Sequence, residues 1–208
     1  NDILNIDAFK EWRTEYTDAD FIKEENGDFI CDHEVEKMSK SKWNVVSPDD
    51  ICDKFGADTL RLYEMFLGPI EQSKPWNTNG ISGVSGFLKK LWRLFFLNNE
   101  IFVTDDNPSK EELRTLHKTI KKITEDIERF SFNTSVSNFM ICINELTEVK
   151  CNKRAILEPL LILISPYAPH ISEELWNRIG HKESISLEKF PICQEEFLIN
   201  DSFNYPIS

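Results

Sequence analysis

Lys37-Met38-Ser39-Lys40-Ser41 gathers two ammonium groups and two hydroxyls into one short polar run within an otherwise acidic stretch. Those groups suit the oxygens of a polyphosphate. The lysines meet charge and the serines donate hydrogen bonds, and donors aimed at charge that develops in a transition state accelerate a reaction. A pentapeptide of this make-up is equally a solvated basic turn when taken alone, so its surroundings decide the reading. Ser47-Pro48-Asp49-Asp50 is a helix start, with Ser47 as N-cap, Pro48 at the first helical position and carboxylates in the first turn. A second helical run, Ala57 to Phe66, follows Gly56.

Upstream, Phe21-Ile22-Lys23 and Phe29-Ile30-Cys31 flank Glu24-Glu25-Asn26-Gly27-Asp28, and Asn-Gly between apolar stretches predicts a small antiparallel hairpin leading into the loop. Residues 1–20 show no clean period and are expected to be irregular, or a short helix around Ile6 to Arg13. After residue 78 the pattern turns helical. Ile81, Val84, Leu88, Leu91 and Phe95 share one stripe, and Leu113, Leu116, Ile120, Ile123, Ile127 and Phe130 make a second seam behind the capping-box pair Ser109 and Glu112. Asn133 is expected to cap a helix whose apolar face is Val136, Phe139, Met140, Ile143 and Leu146. Arg154 to Ser165 is apolar almost all round and belongs at a bundle centre. Beyond the break at Pro166 and Pro169, Ile171 to Ile179 reads as a shorter helix ended by Gly180, and Ile185, Leu187 and Phe190 alternate like a short strand.

The chain has 208 residues, 40% of them hydrophobic, enough for a packed core. No apolar run reaches membrane-spanning length, so no membrane partner is expected. The N-terminus carries neither a starting methionine nor a signal pattern, and is expected to be a cut inside a longer protein. Cys31, Cys52, Cys142, Cys151 and Cys193 form no Cys-x-x-Cys pair. That favours reduced thiols in the cytoplasm over disulfides, and Cys31 with His33 lacks the second pair a metal site needs, so no metal site is expected. Residues 1–50 hold 14 Asp/Glu against 6 Lys/Arg, so −8 of the −12 net charge lies there and only −4 in the remainder. In that nearly balanced part, Lys89-Lys90 with Arg93, Lys118 with Lys121-Lys122, and Lys150 with Lys153-Arg154 are candidate RNA-facing clusters, weighed against ordinary solvated helix faces.

Lys37 to Ser41, followed by Asn44-Val45-Val46, Pro48-Asp49 and Phe55-Gly56-Ala57-Asp58-Thr59-Leu60-Arg61, resembles the second signature of class I aminoacyl-tRNA synthetases. Gly68-Pro69-Ile70-Glu71-Gln72-Ser73-Lys74-Pro75-Trp76 is similar to the leucyl branch rather than to the valyl, isoleucyl or methionyl ones. Arg129 to Thr134 and Pro166 to Trp176 resemble landmarks of the helical anticodon-binding domain, and the matches together cover roughly residues 20 to 195. The fold this implies is mainly α: a class Ia anticodon-binding helical bundle preceded by a small β-hairpin and the signature loop with its stem-contact helices. Its expected segments are an extension with the hairpin over residues 1–36, loop and stem-contact helices over 37–77, the bundle over 78–182, and a tail over 183–208 toward a further domain.

The resemblance also implies a reaction, ATP-dependent activation of leucine and transfer to tRNA(Leu), with ATP and Mg²⁺ as the substrate complex and the parent enzyme a monomer. Lys37 and Lys40 would be the catalytic residues, Lys40 foremost in ATP contact, while Ser39 and Ser41 would orient the loop or donate to phosphate and Met38 would pack it. Trp76 in its loop is a candidate RNA-stacking residue. Trp92 and Trp176 sit in apolar helical patterns and read as core, and His170 reads as structural. The family's first signature, a His-x-Gly-His type motif, does not occur in these 208 residues, so the chain alone is expected to be inactive and to hold no cofactor tightly. Family members commonly carry glycine where Trp43 stands, so Trp43 is expected to anchor the loop in β or helical geometry. The alternatives are the corresponding part of a valyl, isoleucyl or methionyl enzyme, or a standalone helical RNA-binding module.

Overall fold

A computed structural model describes residues 2–32 and 34–199, and the chain divides into two compact units, Asn1–Val45 and Val46–Ser208. His33, considered above with Cys31, lies outside the described residues, as does the tail from residue 200.

Among its described residues the first unit holds one α-helix, α1 (Ile6–Trp12), whose N-terminus is capped by Asn5, its Oδ1 accepting from the Ala8 amide at 3.1 Å. None of its described residues is fully buried. Order here rests on ring contacts: Phe9 meets Trp12, Tyr16 and Phe21 at 5.5–6.1 Å, and Phe21 meets Phe29 at 5.3 Å. Each such pair contributes about 0.5–1.5 kcal/mol beyond its burial, a modest sum beside a closed core. The expected turn over Glu24–Asp28 is present, closed by Glu24 N–H to Asp28 O (2.8 Å) with Gly27 at φ +88°. Its arms differ from a two-stranded hairpin. The second arm turns its backbone to the N-terminus instead, through Leu4 N–H to Phe29 O (2.9 Å), Cys31 N–H to Asp2 O (2.6 Å) and an antiparallel Ile3–Ile30 bridge. The loop between the arms spans five residues and carries three acids, so it closes as a turn of its own and leaves the edge of residues 29–31 open to a third segment.

The second unit is the helical bundle. It comprises α2 (Pro48–Phe55), α3 (Ala57–Phe66), α4 (Ile81–Phe95), α5 (Lys110–Glu128), α6 (Phe132–Glu148), α7 (Arg154–Ile164) and α8 (Pro169–Arg178), with a short antiparallel pair, β1 (Phe96–Leu97) and β2 (Glu100–Ile101), after α4. Every residue of the α4 stripe is buried, joined by Phe87 and Leu94. Each such side chain contributes about 1.5–3 kcal/mol on burial, so this unit holds the core. The capping box of α5 forms as its spacing predicts: Ser109 Oγ accepts the Glu112 amide (3.2 Å) and Glu112 Oε2 accepts the Ser109 amide (2.7 Å). Burial pushes Glu112 upward, yet the Ser109 amide, the Cys151 thiol and the Ser109 hydroxyl outweigh it and hold the carboxyl below its usual range. Helix α7 contributes Ile156, Leu157, Leu160, Leu161, Leu163 and Ile164, all inaccessible to solvent, and so occupies the centre.

Four local expectations shift. Phe130 leaves the α5 seam: it is 63% exposed at φ +56°, in the left-handed turn where Ser131 N–H reaches back to Asp126 O (2.8 Å). Asn133 lies inside the first turn of α6, whose N-cap position belongs to Ser131. Pro169 opens α8 rather than breaking the chain, as proline's missing N–H allows at a first turn. Residues Ile185–Leu187 form a 3₁₀ turn capped by Ser184, with Leu187 71% exposed, so the alternation of apolar residues there has no partner strand to bury it.

Candidate functional site

The loop with the two lysines is held by its own neighbours. Asn44 is the organiser, its Oδ1 accepting the Ser39 amide (2.8 Å) and its Nδ2 donating to Lys37 O (3.4 Å). Residues Lys40–Lys42 form a 3₁₀ turn, and the Ser39 and Ser41 hydroxyls meet at 2.9 Å. Lys42 pairs with Glu36 (2.6 Å), while Lys37 and Lys40 are exposed and have no carboxylate partner among the described residues. The loop thus spends its one structural ion pair on Lys42, leaving the other two ammonium groups available to an anion. Met38 is 42% exposed. Trp43 corrects the expectation placed on it. It sits at φ +56°, ψ +23°, the left-handed geometry that glycine takes freely, and it is 77% exposed, so it anchors nothing by packing.

Within the bundle unit, the motif Phe55 to Arg61 and the motif Pro166 to Trp176 meet directly. The Asp58 carboxylate, only 7% exposed as a residue, accepts from the amides of Ile171 (2.7 Å) and His170 (3.3 Å), and His170 Nδ1 lies 2.8 Å away. Arg61, one helical turn along α3, donates through Nη2 to Pro166 O (2.8 Å) and through Nε to Tyr167 O (3.2 Å). A carboxylate therefore caps the start of α8 while a guanidinium takes the carbonyls just past α7, each charge matching the helix end it faces. No local residue pattern names this clamp. Its signal was indirect: Ala168, the N-cap residue of α8, has no side chain able to cap, so the acceptor had to come from elsewhere. His170 is structural as expected, and Trp176 is buried, its ring stacked on His181 at 3.6 Å.

The candidate RNA-facing residues separate by their partners. Lys121 pairs with Glu195 (3.0 Å), Lys122 with Asp126 (2.5 Å), Lys153 with Asp106 (3.1 Å), and Arg154 with Asp105 (2.6 Å) and Glu158 (3.1 Å). Hydrogen bonds donated to Glu195 and to Asp105 raise the pKa of Lys121 and Arg154 respectively, binding each proton more firmly to an intrachain role. Lys89, Arg93 and Lys118 have no ion pair among the described residues, and Lys90 meets only the neutral Asn144 Oδ1 (2.9 Å). Lys90 and Arg93 line a groove of about 500 Å³ with Leu94, Asn144, Thr147 and Glu148. Trp76 packs its ring edge to face on Tyr63 (5.3 Å) and donates Nε1–H to Thr78 Oγ1 (2.8 Å), so part of its surface is already committed to the core. Among the described residues no three His, Cys, Asp or Glu side chains converge to hold a metal ion.

Residues 25–74 match the family described as tRNA synthetases class I (I, L, M and V), and residues 109–207 match the anticodon-binding domain of tRNA ligase. A leucine–tRNA ligase of Flavobacterium johnsoniae is 64% identical over 208 residues, covering 100% of this chain and 22% of the relative. One of Cytophaga hutchinsonii is 61% identical over 209 residues, covering 100% and 23%. Among solved structures, the Agrobacterium radiobacter K84 agnB2 LeuRS-tRNA-LeuAMS ternary complex aligns with a TM-score of 0.64 at 32% identity, over 78% of this chain and 23% of that one. The chain thus spans between a fifth and a quarter of the length of the curated relatives it matches. With two matching domain families in their expected order and relatives at 54–65% identity along its whole length, the chain belongs to the leucine–tRNA ligase family of class I tRNA synthetases.

Proposed function

We propose that the chain supplies the ATP-phosphate loop and the tRNA-docking bundle of an enzyme that activates leucine with ATP and transfers it to tRNA(Leu). The observation that carries this reading is the pair of unpartnered ammonium groups, Lys37 and Lys40, on a loop ordered by Asn44. When the leucine carboxylate attacks the α-phosphate, negative charge grows on departing pyrophosphate. Ammonium groups aimed at that charge bind the transition state more strongly than bound ATP, which is the requirement for rate enhancement. Lys42, held by Glu36, keeps the turn in shape instead. Mg²⁺ belongs to the ATP complex in this reading, and among the described residues no three His, Cys, Asp or Glu side chains converge on an ion.

For RNA, the favoured cations are Lys89, Lys90, Arg93 and Lys118, which have no carboxylate partner among the described residues, over Lys121, Lys122, Lys153 and Arg154, which do. Contacts from helix faces of this kind go to the phosphate backbone and fix register rather than read bases. The five free cysteines fit a reducing, cytoplasmic setting. The test is made in the full-length parent enzyme. Lys40→Ala is expected to lower the rate of leucine-dependent ATP–pyrophosphate exchange by about 10²–10³, with the KM for leucine little changed. A loss confined to the KM for ATP, at unchanged kcat, would refute the transition-state role. The chain alone is expected to show no exchange, because the first signature is not among its residues.

A further inference from the structure

We propose that the groove between α3 and α5 seats a segment of the parent polypeptide lying outside these 208 residues, one that presents an apolar side chain flanked by Lys or Arg. The groove measures about 810 Å³ and is walled by Leu60 and Met65 of α3, Ile127 of α5, Phe132 at the start of α6, and Phe190. Pro166 and Tyr167, at the α7–α8 corner, also line it. Three separate landmarks of the family resemblance, those around residues 55–61, 129–134 and 166–176, thus converge on one cavity.

The chemistry of the walls decides between occupants. An RNA backbone needs cations, yet the one guanidinium here, Arg61, is turned to the Pro166 and Tyr167 carbonyls, and the remaining charged liners are Glu64 and Glu128. A small molecule would fit the volume, since such sites run from roughly 300 to 1,000 Å³, but it would require convergent polar groups to orient it. Apolar walls edged by two carboxylates match an apolar side chain with a basic neighbour. The source follows from length. Each curated relative extends over more than three quarters of its sequence beyond the part this chain matches. A segment tethered in the same polypeptide meets the groove at an effective concentration of about millimolar, which favours it over any free partner.

The experiment places a photo-crosslinking p-benzoylphenylalanine in place of Met65 and, in a second protein, in place of the exposed Phe190, in the full-length parent with and without tRNA. After irradiation, digestion and mass spectrometry, both positions are expected to give an intramolecular crosslink to one peptide from outside residues 1–208, with Lys or Arg beside the attachment point. A crosslink to tRNA, to a second copy, or only to residues within the bundle overturns the proposal, as does no crosslink at both positions. Glu64→Lys combined with Glu128→Lys is expected to cut the yield about tenfold while leaving the helical circular dichroism spectrum unchanged. An unchanged yield overturns the charge matching. The inference rests on family membership and not on the role of Lys37 and Lys40, so failure of the exchange test leaves it standing and its own failure leaves that test untouched.

Discussion

Replacing Asp58 by alanine tests whether the two motifs are joined by the clamp or merely packed together. The Asp58 carboxylate is the side-chain acceptor for the Ile171 and His170 amides at the head of α8, where Ala168 offers none. Losing an N-cap costs about 1 kcal/mol, within a range of about 0.5–2. Leaving a half-buried amide without an acceptor costs about 1–3 kcal/mol, and removing a partly buried anion from a helix N-terminus as much as about 2 kcal/mol. These descriptions overlap, since all three count the same carboxylate, so the expected total is about 3 kcal/mol rather than their sum. A protein of this size shifts its melting temperature by about 2–4 °C per kcal/mol, which gives a fall of about 6–12 °C. Asp58→Asn keeps one oxygen for the Ile171 amide and is expected to lose about 1 kcal/mol. Urea and thermal unfolding followed at 222 nm measure both. Arg61→Ala provides the second corner of a double-mutant cycle: because both side chains pin the same turn between α7 and α8, a coupling of about 0.5–3 kcal/mol is expected. A loss below about 0.5 kcal/mol for Asp58→Ala, or equal losses for alanine and asparagine, would refute the capping argument.

Other outcomes follow from single groups. His117 is buried, stacks on Phe197 (4.7 Å) and accepts the Gln194 amide at Nδ1 (3.1 Å); burial lowers its pKa, with Glu196 opposing. The unfolded chain therefore binds the extra proton first, so stability is complete above the ordinary histidine pKa of about 6.5 and falls as pH drops through and below it. Melting curves across pH 5–8 should show this slope, and His117→Gln should flatten it. Burial drives the Cys142 and Cys151 thiols up to about 12, so native protein treated with iodoacetamide at pH 8 should leave both unmodified until it is unfolded; early labelling of either contradicts their burial. Trp43→Gly should relieve a left-handed residue that packs on nothing and leave the melting temperature unchanged or slightly higher, whereas a drop of several degrees would show that the indole has a partner.

Elements whose signals are local were legible in the residues. The capping box of α5, the proline at N1 of α2, and the 3-and-4 stripes of α4, α5 and α6 all state their own geometry, because the residues that interact lie within one or two helical turns. Helix ends were legible only where glycine marked them. Three helices close with the same backward bond, Ser131 N–H to Asp126 O, Cys151 N–H to Leu146 O and His181 N–H to Trp176 O, over left-handed residues Phe130, Lys150 and Gly180. Gly180 advertises its conformation by having no Cβ. Phe130 and Lys150 adopt it against their preference, held by the packed helices on either side, and nothing in their identity says so. Trp43 repeats the case in the loop, where indole size suggested an anchor and the backbone instead took the geometry that glycine elsewhere in the family would allow.

The candidate site divides along the same line. The residues that would touch ATP could be named from five consecutive positions, since their chemistry is written in charge and hydroxyl content. What remained hidden was which cations are free. Lys121, Lys153 and Arg154 look as available in the sequence as Lys89 or Arg93, and setting them aside depends on Glu195, Asp106 and Asp105 reaching them in space, whereas Lys122 meets Asp126 one turn along its own helix. Asp58 and Arg61 show the converse. Their motif looked like a signature attached to the loop, yet the acceptor and donor groups they answer lie more than 100 residues away, at a corner whose alanine cap and exposed carbonyls demanded partners without naming them. A residue pattern can reveal that a helix end is unsatisfied; only the fold supplies the side chain that satisfies it.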